Sequence, residues 1–404
     1  MRSNTSGRRT RSGYPGVAMS HGAATTRFRI YVQSPLAGPP FDQPETVEIP
    51  LAPDDIGPGP SDSRVYVLDA IKDRYPNLHP HVYNWADGRP WGSASHPPAQ
   101  PGPDGHFDHL EPGTRAFEAA SVYASVRFAL AVWEKYFAEV GEAPIRWHHK
   151  PQRTGVDDRL EINPHSLTNG ARAGYGFIEF GVGLITDRFN HTGPLWNNFD
   201  VVAHELGHSI VFDRVGFPRN MTPDTKWVGK DNLKDKHNGY FVAFHESAGD
   251  LAAIVSALHH DRVIDFLRIH SGGNLGAANV LNAIGELGRH GAIRNVQPNK
   301  TLARFRREPI SKDNLYEVSL PLTGAVYDVF VDVFNRAQQL MYRRNALIDA
   351  RDWLGRTLAK AWSHLSPDRL TFRSVRDALI QADSALGGEM GEVIEQRFRK
   401  RGIR

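Results

Sequence analysis

The sequence predicts an α+β protein with a β-rich N-terminal half followed by a mainly helical C-terminal lobe. Up to about residue 110, short stretches of alternating or β-branched residues are separated by Pro/Gly-rich turns, as in strands. From Thr114 the hydrophobic period becomes helical, and after Leu251 almost every segment keeps that period. Strands that precede helices, without a visible internal repeat, favour the α+β class.

The individual elements follow from the local patterns in chain order. Alternating or β-branched content predicts strands over residues 27–32, 46–51, 64–71, 144–150 and 174–183. Periodic apolar positions predict helices over residues 115–140, 197–212, 238–258, 276–288, 323–346, 350–363, 371–385 and 389–400.

Shifts in composition divide the chain into five predicted segments. The first is rich in Gly, Ser, Arg and Thr, which is typical of disorder, and a later Pro/Gly-rich stretch is typical of a linker. The segments are a disordered tail (1–27), a β-rich N-terminal domain (28–86), a Pro/Gly-rich linker (87–110), an N-terminal lobe ending in the helix after Asn197 (111–215), and a helical C-terminal lobe (216–404).

Composition excludes several classes of function. Cysteine is absent, so disulfides, thiol nucleophiles and thiolate ligands are excluded, and a metal would need His, Asp or Glu. No serine stands in a Gly-x-Ser-x-Gly turn, so a serine hydrolase is unsupported. No apolar run approaches the roughly 18 residues of a membrane helix, so no membrane span is predicted.

The charge distribution gives little reason to expect an acidic partner. The formal charge of +3 is mild, and its excess lies in arginine-rich tails that we interpret as solvated. No basic face with interleaved aromatic residues is visible, so no nucleic-acid partner is expected. No hydrophobic segment follows the paired Arg8 and Arg9, so no signal peptide is predicted. We therefore expect a cytoplasmic or non-classically exported protein.

The stretch NNFDVVAHELGHSIVF predicts a helix that could hold a metal ion. Asn197 or Asn198 is a suitable N-cap. His204 and His208 are four residues apart, so their rings share one helix face. Glu205 lies about 100° around the helix from His204, near enough to touch a water on that ion. Random order would produce this histidine pattern with a probability of roughly 4%, so two ordinary histidines on a helix remain an alternative.

A second helix, over residues 238–258, carries two acids that do not suit burial. Glu246 and Asp250 are four residues apart among apolar neighbours, where a carboxylate is unfavourable unless it is paired or binds a cation. Two histidines and a glutamate form the ligand set of a catalytic zinc, with the fourth position left for water. Asp250 could accept the far ring N–H of His204. The alternative is that both carboxylates pair with arginines or helix N-termini, and His245 is expected to point away from Glu246.

Two further histidine groups are interpreted as surface features. His106 and His109 lie in a loop at the end of the predicted linker. His148 and His149 are adjacent in a predicted strand, so their side chains would face opposite ways and at most one could reach a common site.

DVVAHELGH (200–208) followed by HESAGDL (245–251) resembles the gluzincin zinc metallopeptidases of the thermolysin-like branch. The likeness covers about residues 110–404, with the helix at 115–140 and the closing segment 370–403 similar in order and character. It implies a thermolysin-like catalytic domain with a cleft between two lobes, floored by the His204 helix. The implied activity is peptide-bond hydrolysis by a zinc-activated water, with a peptide or protein as substrate.

The resemblance also implies roles for individual residues. His204, His208 and Glu246 become the ligands of one zinc ion per chain, and Asp250 orients His204. Glu205 becomes the general base that deprotonates the water and passes the proton to the leaving amine. The strand at 174–183 becomes the sheet edge to which an extended peptide adds.

The sequence departs from the family pattern at several places. The segment between His208 and Glu246 is longer than in thermolysin and predicts a lid or a substrate-shaping loop. Arg219 stands where the family has a tyrosine. In the family's His-x-x-Ser stretch the histidine position holds Tyr316, followed by Ser319; Tyr316 is a candidate oxyanion donor, a core tyrosine, or a sign of weakened activity.

Two questions therefore stay open at the level of the sequence. Asp200 matches a calcium-ligand position of thermolysin, but position 257 is Ala257, so calcium is not part of the predicted site and a helix N-terminal role suffices for Asp200. The replacement at Tyr316 leaves a second candidate function, a zinc-binding but catalytically weak or inactive protein that binds peptide or protein partners.

Overall fold

The structure is a computed structural model that describes most of the chain. It describes residues 24–70, 95–147, 159–166, 170–181, 185–186, 192–221, 230–288, 291–296, 300–305 and 309–404. The strands are β1 (Thr26–Ile30), β2 (Glu45–Ile49), β3 (Val65–Val67), β4 (Leu160–Ser166), β5 (Ala171–Gly174), β6 (Phe177–Gly181), β7 (Ile185–Thr186), β8 (Thr192–Gly193), β9 (Ala283–Gly288) and β10 (Gly291–Asn295). The helices are α1 (Arg115–Glu139), α2 (Phe199–Arg214), α3 (Lys230–Leu233), α4 (Lys236–Ala257), α5 (Asp261–His270), α6 (Leu315–Ala337), α7 (Arg343–Trp362), α8 (Phe372–Ala385) and α9 (Gly391–Lys400).

The predicted α+β class is confirmed. Eight of these strands precede α2, while α2 to α9 follow one another with only the β9–β10 hairpin between them. The described parts of both halves contribute side chains to one contiguous buried core. The fold is therefore β-rich first and mainly helical afterwards.

Several sequence predictions fall outside the described residues. They are most of the disordered tail (1–23), part of the β-rich domain and linker (71–94), the pair His148–His149, and part of the long segment before Glu246 (222–229). The division of the chain into five segments stays a prediction.

A four-stranded sheet borders α2, and its order is β3-β4-β6-β5. β3, β4 and β6 are parallel, whereas β5 pairs antiparallel with β6. The predicted edge strand at 174–183 was therefore wrong, because β6 lies between two neighbours and β5 is the outer strand. Gly176 has a φ of 74°, a conformation that favours glycine, and it reverses the chain between the two strands.

Residues 276–288 do not form the predicted helix but a loop followed by β9, which pairs antiparallel with β10. Asn279 Oδ1 accepts the backbone N–H of Leu281 at 2.9 Å and that of Asn282 at 3.3 Å. Such local bonds offer the backbone an alternative to the helix. Gly285 adds a φ of 66°, which interrupts a helix as well. Helical periodicity alone missed both effects.

Two other predicted elements differ from the structure. The helix predicted over 323–346 is two helices: α6 starts at Leu315 and includes Pro321, and α7 starts at Arg343. No glycine or proline marks the turn between them, so the sequence pattern continued through it. Residues 144–147 of the predicted strand 144–150 form no strand, and Trp147 instead donates its indole N–H to the carbonyl of Arg64 at 2.8 Å.

The close packing of α2 on α4 positions the candidate site. A Cβ added to Gly207 would lie 2.8 Å from Ala252 Cβ and 2.8 Å from Gly249 Cα. A Cβ added to Gly249 would lie 2.6 Å from two atoms of the His204 ring. Glycine at both positions therefore lets the two helices approach and leaves room for that ring.

The N-terminal strands pack onto the helices that carry the site. Phe28 of β1 stacks on Phe107 with ring centroids 4.9 Å apart. His106 Nδ1 accepts the backbone N–H of Arg27 at 3.1 Å, so this histidine joins its loop to β1 by a hydrogen bond. The Nε2 amide of Gln33 donates to Asp200 Oδ1 at 3.0 Å and links this region to the first turn of α2.

Among the described helices, none alone has the length and hydrophobicity to cross a membrane. The pair Lys236–Ala257 and Asp261–His270 passes that test together but bends by 91° at its break.

Candidate metal centre

His204, His208 and Glu246 come together between α2 and α4. Asn198 caps α2 by accepting the N–H of Val201 at 3.4 Å, so the helix starts where the sequence predicts and both histidines share one face. All three residues are buried, with 4 to 7% of the surface of each residue exposed. One donor atom of each lies within 4.8 Å of the others. Among the described residues these three form the one such group of three or more donors.

Two of the distances in this group are slightly longer than those in a tetrahedral metal site. Glu246 Oε2 is 3.5 Å from His204 Nε2, and Glu246 Oε1 is 3.9 Å from His208 Nε2. Ligand atoms about 2.0–2.1 Å from a tetrahedral ion lie roughly 3.3 Å apart, so small side-chain shifts would close the site. The two imidazole rings are nearly perpendicular, at 85°, with both Nε2 atoms turned to the same carboxylate. Two imidazoles and a carboxylate are a ligand set that zinc prefers.

The charges of the group are strongly coupled. Burial raises the pKa of Glu246, but hydrogen bonding from His204 and the nearby positive charges lower it to about 2. Burial lowers the pKa of His208 to about 3, which leaves that imidazole neutral and able to bind a cation. Burial and Arg294 lower the pKa of His204, yet hydrogen bonds with Asp250 and Glu246 raise it to about 9. A metal ion would replace the proton of His204.

Glu205 is a buried carboxylate with one unused oxygen. The backbone N–H of Ala173 on β5 donates a hydrogen bond to it. Its Oε2 has no hydrogen-bond partner among the described residues. Burial, partly opposed by the charge of His204, raises the pKa of Glu205 to about 7. A carboxylate that gains and loses a proton near neutral pH is suited to general base chemistry.

Asp250 and Arg294 surround the far side of the His204 ring. Asp250 Oδ1 is 3.0 Å from His204 Nδ1, the contact that the sequence predicts for the pair. Arg294 of β10 donates from Nε to the same Asp250 oxygen at 2.7 Å, and its Nη1 lies 4.0 Å from Glu246 Oε2. The sequence reasoning missed Arg294. The alternative that it did consider, pairing of the buried acids with an arginine, was the signal for such a residue.

Tyr316 lies in the first turn of α6 beside this group. Its ring centroid is 5.8 Å from Arg294 Cζ. The charge of Glu246, followed by burial, raises the pKa of Tyr316 to about 12, so its O–H stays a donor at neutral pH. The side chain is 49% exposed and is not a core tyrosine. Ser319 Oγ donates to the Tyr316 carbonyl at 2.7 Å and so belongs to the helix backbone network.

His245 does not point away from the site, contrary to the sequence expectation. Adjacent helical residues differ by about 100° in direction, so both His245 and Glu246 can face α2. His245 Nδ1 lies 2.5 Å from His208 Nδ1, and the two rings meet edge to edge, with centroids 4.6 Å apart and planes inclined by 26°. His245 is therefore a neighbour of one candidate ligand.

Two other predicted positions lie in different surroundings. Asp200 is buried, accepts from Gln33, and receives a hydrogen bond from the backbone N–H of Gly285. Burial raises the pKa of Asp200 to about 7 in spite of those hydrogen bonds. The side chain of Arg219 is 92% exposed and pairs with Asp368.

Comparison with known proteins gives a distant structural likeness. No family model matches the sequence, and no curated protein matches it. A solved structure described as the precursor of protealysin, a metalloproteinase from Serratia proteamaculans, aligns with a TM-score of 0.45 and 13% sequence identity. The alignment covers 84% of this chain and 87% of that chain. At this level of similarity the likeness carries no argument about activity, which depends on the geometry of the site.

Proposed function

We propose that the protein is a zinc-dependent metallopeptidase of gluzincin type. The observation that carries the proposal is the Glu205 carboxylate, which is buried beside the donor group of His204, His208 and Glu246 with one oxygen lacking a partner among the described residues. A buried polar atom without a partner destabilises a fold by roughly 1–3 kcal/mol. Its presence is understandable if that oxygen binds the attacking water.

The side chains of the candidate site can each take a different role in peptide hydrolysis. A bound zinc ion would supply Lewis acidity, which lowers the pKa of water and polarises the scissile carbonyl. Glu205 removes a proton from the attacking water and delivers it to the leaving amine as the C–N bond breaks. Asp250 accepts the Nδ1 proton of His204 and keeps Nε2 turned toward Glu246.

Two donors are suited to stabilise the carbonyl oxygen as it becomes negative. The O–H of Tyr316 is protonated at neutral pH, and Arg294 carries a fixed positive charge near Glu246. Hydrogen bonds that strengthen in the transition state are usually the largest contribution to catalysis. Tyr316 would thus replace the family's histidine.

The outer edge of β5 supports an extended peptide as the substrate. Gly181 donates to the carbonyl of Gly170, so in the alternating antiparallel pattern the backbone groups of Ala171 and Ala173 face away from β6. The outward N–H of Ala173 reaches Glu205. A peptide that added to this edge would therefore run past the proposed base.

The proposal is tested by zinc content and proteolysis measured together. Purified wild type should contain about one zinc per chain and cleave an unfolded protein, His204→Ala should lack zinc, and Glu205→Gln should keep zinc but lose cleavage. The exposed residue His364 and the partly exposed Glu395, both outside the donor group, provide matched controls, His364→Ala and Glu395→Gln, which should retain both properties. A wild type without metal after purification and zinc addition would reject the proposal.

Tyr316 also supports a second candidate function. Its ring is half exposed and replaces a histidine of the family pattern, so the chain could bind zinc and a peptide with little turnover. Zinc binding by wild type, with equal absence of cleavage in wild type and Glu205→Gln, would favour this peptide-binding function over the peptidase.

A further inference from the structure

We propose that His245 is a positioning residue for the metal, whose Nδ1 accepts the Nδ1 proton of His208 and thereby leaves His208 Nε2 free for the ion. The proposal rests on the proposed function, since it concerns the same metal centre. It begins from one contact: the two Nδ1 atoms are 2.5 Å apart, and both side chains are buried.

Two nitrogens at this distance must share one proton. Two protons would clash, and two bare lone pairs would repel each other. If His245 supplies the proton, neutral His208 carries its own proton on Nε2 and cannot bind a cation there. If His208 supplies it, Nε2 has a free lone pair, and this is the atom that lies 3.9 Å from Glu246 Oε1. A metal at the donor group therefore selects the second arrangement.

The surroundings of His245 favour a neutral acceptor. The residue has none of its surface exposed, and the rings of Phe212 and Phe241 lie 4.8 Å and 5.6 Å from its ring centroid. Aromatic walls of this kind disfavour a charged imidazole. His208 therefore has a neutral imidazole, that of His245, as its hydrogen-bond acceptor. His204 instead has the charged carboxylate of Asp250. The two histidine ligands are supported by acceptors of different charge.

A purely space-filling role for His245 makes a different prediction from an acceptor role. His245→Phe retains a ring of similar size but has no acceptor. His245→Asn loses most of the ring, yet its Oδ1 stands near the place of the imidazole Nδ1 and can accept the same proton. The acceptor role predicts that Asn preserves the site and Phe does not, and a packing role predicts the reverse.

The experiment compares full-length wild type with these two variants after metal removal. Zinc affinity is measured by competition with a chromophoric chelator, and the cobalt-substituted proteins give the visible spectrum of the ligand field. Loss of an outer hydrogen bond to a metal-ligating histidine typically weakens affinity by about 10–100-fold. We expect His245→Phe to lose about that factor and change the cobalt spectrum, with His245→Asn within roughly threefold of wild type.

Each other outcome overturns the inference. Equal affinities and spectra for all three proteins would show that no acceptor is needed, and a greater loss in His245→Asn than in His245→Phe would show that His245 only fills space. A wild type that binds no zinc would reject the proposed function, and this inference with it. A wild type that binds zinc while the variants contradict the acceptor role would reject this inference alone.

A second measurement tests the proposal on wild type itself, so it can be used even if a variant fails to fold. In zinc-loaded wild type with 15N-labelled histidines, we expect the His208 ring to carry its proton on Nδ1 and the His245 ring on Nε2, with the Nδ1 proton slow to exchange. Signals are assigned by their loss in His208→Gln and in His245→Gln. A zinc-bound His208 without an Nδ1 proton would overturn the proposal.

Discussion

The guanidinium of Arg294 lies against the ring of His204, with Nη2 2.9 Å from Nδ1 and 3.2 Å from Nε2. A fixed positive charge thus stands beside a nitrogen that we expect to bind a cation. The same guanidinium forms an ion pair with Asp250, with Nε 2.7 Å from Oδ1, and this ion pair links β10 to α4 at the candidate site. The positive charge of Arg294 can therefore have two opposite effects. It can stabilise negative charge that develops in a reaction, and it can weaken the binding of a metal ion by His204.

Arg294→Gln should lower turnover but not zinc binding. The substitution removes a donor aimed at the site, and losing one such donor typically costs about 10²–10³ in kcat. It also removes a positive charge near the metal, so zinc affinity should stay equal or rise. Chelator competition and steady-state proteolysis measure the two effects separately. Loss of zinc from Arg294→Gln would contradict this division of tasks.

Tyr316→Phe should reduce kcat by about 10²–10³-fold while zinc content and KM change little, because only the hydrogen bond to the developing oxyanion is lost. The measurement is a kinetic comparison on a defined peptide. Tyr342, which is 86% exposed at the turn before α7, provides the matched control Tyr342→Phe with unchanged kinetics. An unchanged kcat in Tyr316→Phe would remove Tyr316 from the catalytic group.

Gly249→Ala should displace His204 and weaken zinc binding. The new Cβ would stand 2.6 Å from the His204 ring, too close for any real contact, so the ring or α4 must move. Gly391→Ala is the control, since its Cβ would meet Ile380 at an ordinary 3.5 Å. Zinc content and far-ultraviolet circular dichroism distinguish local displacement from unfolding. Full zinc occupancy in Gly249→Ala, at wild-type affinity, would show that α2 and α4 have room for a Cβ at this position.

Asp200→Asn should stabilise the protein more at high pH than at low pH. Burial raises the pKa of Asp200 in the folded protein to about 7, above that of an unfolded aspartate, so the folded state holds a proton that the unfolded state releases. The contribution of Asp200 to the stability of wild type therefore falls as pH rises from about 4 to 7, while Asn has no proton to lose. The difference in free energy of unfolding should grow by roughly 1–4 kcal/mol over that range and then level off.

Urea unfolding at several pH values tests this expectation on metal-free protein. The variant keeps an oxygen that can accept from Gln33 and Gly285, so the comparison isolates the charge. A stability difference that is independent of pH would mean that Asp200 is ionised throughout, with its hydrogen bonds outweighing its burial.

Local patterns in the sequence were sufficient to propose most residues of the candidate site. The spacing of His204 and His208 is a property of one helix, and so is the spacing of Glu246 and Asp250. The apolar neighbours of the two acids implied that the carboxylates bind a cation or pair with an arginine or a helix N-terminus, before any helix was paired with another. Periodicity likewise located α1, α8 and α9 to within two residues of their bounds.

Local patterns failed wherever a side chain or a glycine redirected the backbone. Asn279 and Gly285 turned a predicted helix into a loop and a strand, which brought Arg294 to the site. Gly176 made a hairpin that moved the edge of the sheet from the predicted strand to β5. In both cases the deciding conformation depends on single residues that contribute little to a hydrophobic period.

By itself the sequence determined the α+β class and the two helices with their paired side chains, and it proposed a metal-ligand set from those side chains. Only the tertiary structure decided that α2 and α4 meet through Gly207 and Gly249, that Arg294 reaches Asp250, and that His245 faces His208. The physical reason is the separation along the chain between the residues that must meet. Spacing along one helix is determined by its own geometry, whereas a contact between helices depends on which side chains are small enough, and which loops turn, to let distant segments approach.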